Sequence, residues 1–373
     1  MDYTIVTAWY DVRTKENHIL KDKPTDDFFC TTNTYFEKAK LLFDKPFPLV
    51  IFTEPRFKDE ILALRPAELH PITQVICKDY EELQFYEHFK QFEENHVKYK
   101  VINLDENKFT PLYKFIVGQK TNFVKEVVET NPFNTTRFAW MDLRLHDIYN
   151  MPVEETTQVM EDILPGRVKL MFMTWLHSRE IYDRHDFYVW TRGKVAAGFF
   201  GGEREPLLRF AELCQKEFIE ALQWEMAPSD EMLYSWIIHY NPDLFDPYVG
   251  EYRDCLNNQW EARGSLHLYI PFLIVATQYN NHHYVTRLSA SIRKGHLSGK
   301  INLPPHDIAT VWYHAYISNF ELQRPTDCLV VLKEYIQLAL GSPAIAEHFR
   351  NKVPEFLEKS AQMGHLDLGM ESI

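Results

Sequence analysis

The chain has 373 residues, 45% hydrophobic and 25% charged, the balance of a globular protein with room for two domains. Its formal charge of −13, with no long Lys/Arg run, argues against nucleic acid as a partner. The longest apolar stretch, Leu266 to Thr277, is too short to span a bilayer and carries His267 and Pro271, so no membrane span is expected.

The first two-thirds alternates short apolar runs with helical patterns, which predicts an α/β sheet. Thr4–Ala8 reads as the first strand and Pro48–Thr53 as the second, followed by a helix over FKDEILALR. Gln74–Cys77 is a third strand, with a long charged helix expected from about Asp79 to Glu94. Phe138–Met141 and Val168–Met173 are further buried strands. Val195–Gly202 reads as a strand running into a glycine-rich turn, after which Pro206 suits the first turn of a helix to about Trp224. Another helix follows Pro228-Ser229. Beyond about Asn257, Pro304-Pro305 and Pro325 punctuate three or four apolar-periodic segments with little strand signal. The expected domains are therefore 1–258, α/β, and 259–373, helical, with the last dozen residues mobile.

Cys30, Cys77, Cys214, Cys255 and Cys328 are dispersed and form no CxxC pair, which fits a reducing compartment better than a disulfide framework or a zinc site. The N-terminus, MDYTIVTAWYDVRTK, has no basic segment followed by an apolar one and does not read as a signal peptide. The expected location is cytoplasmic. The 26 Phe, 20 Tyr and 8 Trp suffice to line clefts that stack bases and sugars, although an aromatic core is the plainer account.

The central chemical feature is Phe138-Ala139-Trp140-Met141-Asp142-Leu143-Arg144. An apolar strand ending in an acid delivers a carboxylate to the sheet edge where open α/β folds bind ligands. Asp142 there would hold a divalent metal on a diphosphate, or else simply cap the next turn. Gly198, Gly201 and Gly202 would let backbone approach a ligand, or would serve an ordinary tight connection. Asp230 and Glu231 open a helix, where acids suit the macrodipole and where one carboxylate also suits a general base. Thr7, Tyr10 and Arg13 follow the first strand; Tyr10 or Trp9 would stack on a base, and Arg13 or Lys120 would reach a phosphate. The alternative for Trp9 and Tyr10 is core packing. His282-His283 could offer an imidazole to a metal but has no acidic companions. No GxSxG elbow, Walker loop or HExxH is present.

The segments TIVTAWYDVR, PLVIFTE, YKFIVGQKTNFVKEVVETNPFNTTRFAWMDLRLHD, AAGFFGG, PSDEMLYSW and FDPYVGEY, in this order, resemble the HtrL/YibB family, a resemblance that implies a bacterial-type glycosyltransferase. The likeness covers roughly residues 3 to 255, with Tyr113 to Asp147 its most specific part. It implies a GT-A-like, Rossmann-type mixed sheet flanked by helices and a UDP- or GDP-sugar donor. It places Asp142 at the metal-binding acid, Lys120 on the preceding helix, Asp230-Glu231 at the late acidic pair and Gly250-Glu251-Tyr252 at the closing element. Arg144 stands where many such enzymes have a second acid, and where members of this family tend to have glycine. A guanidinium there would replace part of the charge of Mn²⁺ or Mg²⁺, or pair with Asp142.

The expected function is transfer of a sugar to a hydroxyl of a glycan, lipid or protein acceptor. Asp230 or Glu231 would be the catalytic carboxylate, and the apolar helical tail suggests a homodimer. The other reading is a GT-A-like binding or assembly module without catalysis.

Overall fold

The computed structural model describes residues 2–12, 32–99, 109–143, 154–173, 180, 183–189, 194–249, 266–278, 280–299 and 301–362. Arg13, Arg144, Cys30, Cys255, Gly250-Glu251-Tyr252 and the last dozen residues, less the helical Gln362, lie outside them.

Among the described residues, β-branched and aromatic runs form seven strands: β1 (Tyr3–Trp9), β2 (Leu49–Thr53), β3 (Thr73–Cys77), β4 (Arg137–Met141), β5 (Val168–Phe172), β6 (Val195–Glu203) and β7 (Phe245–Val249). They make one mixed sheet in the order β3-β2-β1-β4-β6-β5-β7. β1 is parallel to β2 and β4, and β2 to β3, whereas β6 runs antiparallel to β4 and β5. The short β7 at the edge tolerates Pro247, because an edge residue can do without a ladder N–H.

Helices α1 (Thr32–Phe43), α2 (Lys58–Leu64), α3 (Phe89–Lys98), α4 (Pro111–Val117), α5 (Lys120–Thr130), α6 (Glu154–Glu161), α7 (Arg184–Val189), α8 (Arg204–Gln223) and α9 (Asp230–Tyr240) accompany the sheet. Side chains alternate across each strand, so Val6, Phe52, Phe138, Trp140 and Phe200 share one face and meet Phe123 of α5, Phe210 of α8 and Tyr234 of α9. The opposite face packs Trp9 against Phe36 of α1 and bonds the Tyr3 hydroxyl to Thr157 of α6. The architecture is thus the expected α/β fold with helices on both faces.

Two local expectations are corrected. The long helix from Asp79 to Glu94 is instead two 3-10 turns, Tyr80–Glu82 and Tyr86–His88, followed by α3. A reciprocal capping box between Asp79 and Glu82 closes the first turn, and Phe85 takes a left-handed conformation (φ 67°) that no helix continues through. Phe85 gains ring stacking on Phe218 of α8, 5.4 Å between centroids.

The glycine-rich turn after Val195 is no turn. Residues 195–203 form one continuous strand, and the glycines are packing residues within it. A Cβ on Gly202 would stand 2.9 Å from the Arg167 carbonyl oxygen, and one on Gly201 would stand 3.0 Å from the Ala139 Cβ. Toward β4, β6 keeps register throughout; toward β5 it does not, since Leu170 faces Phe200 while Met171 faces Ala196. Ala197, Gly198 and Phe199 therefore bulge away from β5.

The sheet unit runs to Pro247, and a second compact unit holds the C-terminal helices. Instead of three or four segments, the described residues form five: α10 (Leu266–Gln278), α11 (His282–Leu297), α12 (Pro305–Glu321), α13 (Pro325–Gly341) and α14 (Pro343–Gln362). Three of these begin at a proline, whose fixed φ and missing N–H suit the first helical position. Trp312, Tyr316 and Tyr335 are fully buried within this unit. Among the described residues no helix is long and apolar enough to cross a membrane.

The packing yields two tests. Gly202→Ala should destabilise the fold by about 1–3 kcal/mol through overpacking, read by urea or thermal unfolding; an unchanged midpoint would contradict the packing role. Lys114 of α4 is buried, 3.5 Å from His96 Nδ1, and burial depresses its ammonium from 10.5 to about 7. Between those values the unfolded chain binds the extra proton, so this group makes stability rise with pH from about 7 to about 10. Lys114→Met should flatten that rise and stabilise the protein at pH 7 by about 1–3 kcal/mol. An unaltered pH–stability profile would refute it.

Candidate functional site

Asp142 follows β4, two residues beyond Trp140, so strand alternation puts both side chains on the face that α5 covers. The Trp140 indole donates to Asp142 Oδ1 at 2.7 Å, and the Asp142 backbone N–H donates to the Gly198 carbonyl at 2.8 Å. These bonds fix the carboxylate from the side and from below.

Lys120 is the first residue of α5. A cation there opposes the helix dipole, so local helix energetics do not explain it. Its explanation is the site. Nζ lies 2.9 Å from Asp142 Oδ1, 2.8 Å from Asp230 Oδ2 and 3.1 Å from the Ala197 carbonyl oxygen. An ammonium has three N–H donors, and these are three acceptors. The β6 bulge turns the Ala197 carbonyl to this use. Burial works against the charge on Lys120, yet Asp142 and Asp230 outweigh it and hold the ammonium well above its ordinary value.

Asp230 opens α9, where the helix dipole favours an acid. One of its oxygens accepts from Lys120 and the other from the Glu231 backbone N–H at 2.9 Å. Ser229 holds the N-cap position but makes no side-chain capping bond. The two carboxylates differ in access: the Asp142 side chain is 30% exposed and that of Asp230 only 8%. Glu231, beside it, is half-buried. Tyr234, one turn along α9 from Asp230, is buried with its hydroxyl unpaired. Burial first, then Cys214, Asp230, Asp142 and Glu231, push its phenol far above the usual value.

The structure thus joins Lys120, Asp142 and Asp230, with Glu231 adjacent. Gly198 contributes a carbonyl under Asp142, whereas Gly201 and Gly202 lie inside the sheet. Thr7 and Tyr10 stand at the neighbouring strand end. Tyr10 is buried with its ring stacked on Phe123 and against Tyr80, so its faces are engaged in the core. Trp9 is likewise enclosed by Tyr35, Phe36 and Phe57. Thr7 Oγ1, Trp9 Nε1 and Thr53 Oγ1 are buried without hydrogen-bond partners. His282 Nδ1 is 3.2 Å from Ser318 Oγ in the helical unit.

Sequence reasoning missed the Ala197 carbonyl, for which no side chain gives a signal. It also missed Tyr234, whose i+4 spacing from Asp230 was available, and Glu54 after β2. Glu54 accepts from the Asp11 backbone N–H at 2.8 Å and from the Tyr80 hydroxyl at 3.3 Å, and pairs with half-exposed Arg56 at 2.9 Å.

A divalent cation is the test of the Asp142 expectation. Among the described residues no three His, Cys, Asp or Glu side chains converge to hold one. The oxygens that do converge, from Asp142, Asp230 and Ala197, surround an ammonium. A dication on the same Asp142 carboxylate would sit beside that positive charge.

The fold and this charge cluster define an α/β protein with a buried ion cluster at the carboxyl ends of its parallel strands. The chain belongs to the HtrL/YibB family: the family model described as "Bacterial protein of unknown function (HtrL_YibB)" matches residues 1–258. No curated protein matches it significantly.

The cluster makes a stability prediction. Lys120→Met leaves two carboxylates facing each other and should cost about 3–5 kcal/mol. Adding Asp230→Asn should cost less than its effect in the wild type, because the residues share one interaction. Additive losses in a thermal or urea double-mutant cycle would show the bridge to be energetically inert.

Proposed function

We propose that the protein is a nucleotide-sugar-dependent glycosyltransferase that passes a sugar to a hydroxyl acceptor. The carrying observation is where the Asp142–Lys120–Asp230 cluster lies. From β1 the sheet grows one way through β2 and β3 and resumes on the other side with β4, so β1 and β4 flank the topological switch point. In open α/β sheets the crevice outside that point receives the ligand.

The strand ends divide the labour. Neighbouring strands are about 4.8 Å apart, so Glu54 after β2 and Asp142 after β4 stand about 10 Å apart along one edge. That length accommodates a nucleoside with its phosphates. Glu54, Asp11 and Arg56 offer acceptors and a cation for the nucleoside end, with Thr7 and Thr53 on the strands beneath. The reacting sugar then falls beside Asp142.

Asp142 is the more accessible carboxylate and takes the acceptor's proton, or orients a hydroxyl of the sugar. The Trp140 indole and Lys120 ammonium both contact its Oδ1 and keep it aimed. Asp230 acts through Lys120 as a positioning residue. Glu231 remains the second candidate base.

One observation favours a binding module instead: all three Lys120 donors are spent inside the protein, so the cluster also serves as a structural rivet. Donor turnover separates the two. A thermal-shift series with UDP-, GDP-, CMP- and dTDP-sugars should show stabilisation by one nucleotide class through mass action. The same donor should be slowly hydrolysed, and Asp142→Asn should lower that rate by about 10²–10⁴ while leaving the shift largely intact. A shift without hydrolysis supports the binding module, and no shift with any donor overturns both.

A further inference from the structure

We propose that Lys120 is a built-in replacement for a metal ion: its ammonium fills an oxygen cage that would otherwise bind a divalent cation, and the site works without one.

Two carboxylate oxygens and one backbone carbonyl oxygen meet at the Lys120 nitrogen, at 2.9, 2.8 and 3.1 Å. Carboxylate and carbonyl oxygens are the donors that Mg²⁺, Ca²⁺ and Mn²⁺ select. Remove the ammonium and the three oxygens surround a vacant point. Metal–oxygen distances are shorter, about 2.0–2.6 Å. The Asp142 side chain, 30% exposed, gives the cage an opening through which water can complete the coordination shell. Asp230 is held from behind by the Glu231 N–H, and Asp142 by the Trp140 indole, so neither carboxylate depends on Lys120 alone for its position.

Charge decides which cation the cage keeps. Two carboxylates and one ammonium sum to −1, and the ammonium arrives on the chain with no metal to recruit. Its three N–H groups match the three acceptors, which also removes Lys120 from any direct role on a phosphate. Counter-charge for a diphosphate would then come from another cation, such as Arg56 after β2.

Mn²⁺ binding tests this without any donor or acceptor. In wild type, Mn²⁺ at 1 mM should leave the melting temperature unchanged and show no bound fraction by electron paramagnetic resonance. Lys120→Ala, with the cage emptied, should bind Mn²⁺ at least tenfold more tightly and melt several degrees higher in its presence. Asp230→Asn in that background should abolish both effects. If Lys120→Ala folds only with Mn²⁺, the proposal is upheld in its strongest form. If it does not fold under either condition, Lys120→Gln is read by the same criteria. Mn²⁺ bound by the wild type and lost in Asp142→Asn overturns the proposal, as does a folded Lys120 variant that gains no Mn²⁺ affinity. Neither result bears on whether a nucleotide sugar is the ligand, which the donor series decides separately.

Discussion

An ammonium taken out of water must have each of its N–H groups met, or the chain carries a desolvation cost that nothing offsets. Lys120 meets the condition with two carboxylates and a carbonyl. Much of the local architecture follows from it. Helix α5 starts with a cation despite its dipole, an acid follows β4, β6 bulges to present a carbonyl, and α9 begins with Asp230. A buried ion cluster of this kind is a poor source of net stability, because hydrophobic side chains of equal volume would serve as well or better. Its presence is better understood through what it holds in place, a carboxylate just beyond the end of β4.

Much of the sheet was legible because burial on both faces writes itself as unbroken apolar runs: TIVTA, LVIFT and VKLMF all fall in strands. β7 was not legible, since Phe-Asp-Pro-Tyr-Val carries a proline that only an edge position excuses. The Asp79–Glu94 segment misled for another reason. Its acidic periodicity is that of a surface helix, but Phe85 makes a contact with Phe218 far along the chain, and a local pattern cannot report it. The glycines after Val195 were read through their usual role in turns, whereas here the demand comes from the neighbouring chain, Arg167 and Ala139.

The site was half visible. Asp142, Asp230 and Lys120 were each identifiable by their positions at element ends, where polar groups reach a sheet edge. What the linear order could not supply was their convergence on one nitrogen, nor the part played by the backbone of Ala197, since an alanine in an apolar strand announces nothing. The helical unit shows the opposite case. Prolines at 305, 325 and 343 mark helix starts almost by themselves, because the ring fixes the first φ and forgoes a hydrogen bond that position does not need.

The cage draws on four stretches of chain that lie far apart in sequence, and this bears on how the protein matures. A polypeptide made from its N-terminus exposes Lys120 and Asp142 well before Asp230 exists. Until α9 docks, the lysine has one carboxylate instead of two and remains hydrated. The crevice therefore reaches its final electrostatics only once the last helix of the sheet unit is seated. Long-range closure of this kind is a late and slow event in folding. A ligand that recognises the finished crevice would select completed molecules from partly folded ones, so occupancy would double as a signal of chain maturity.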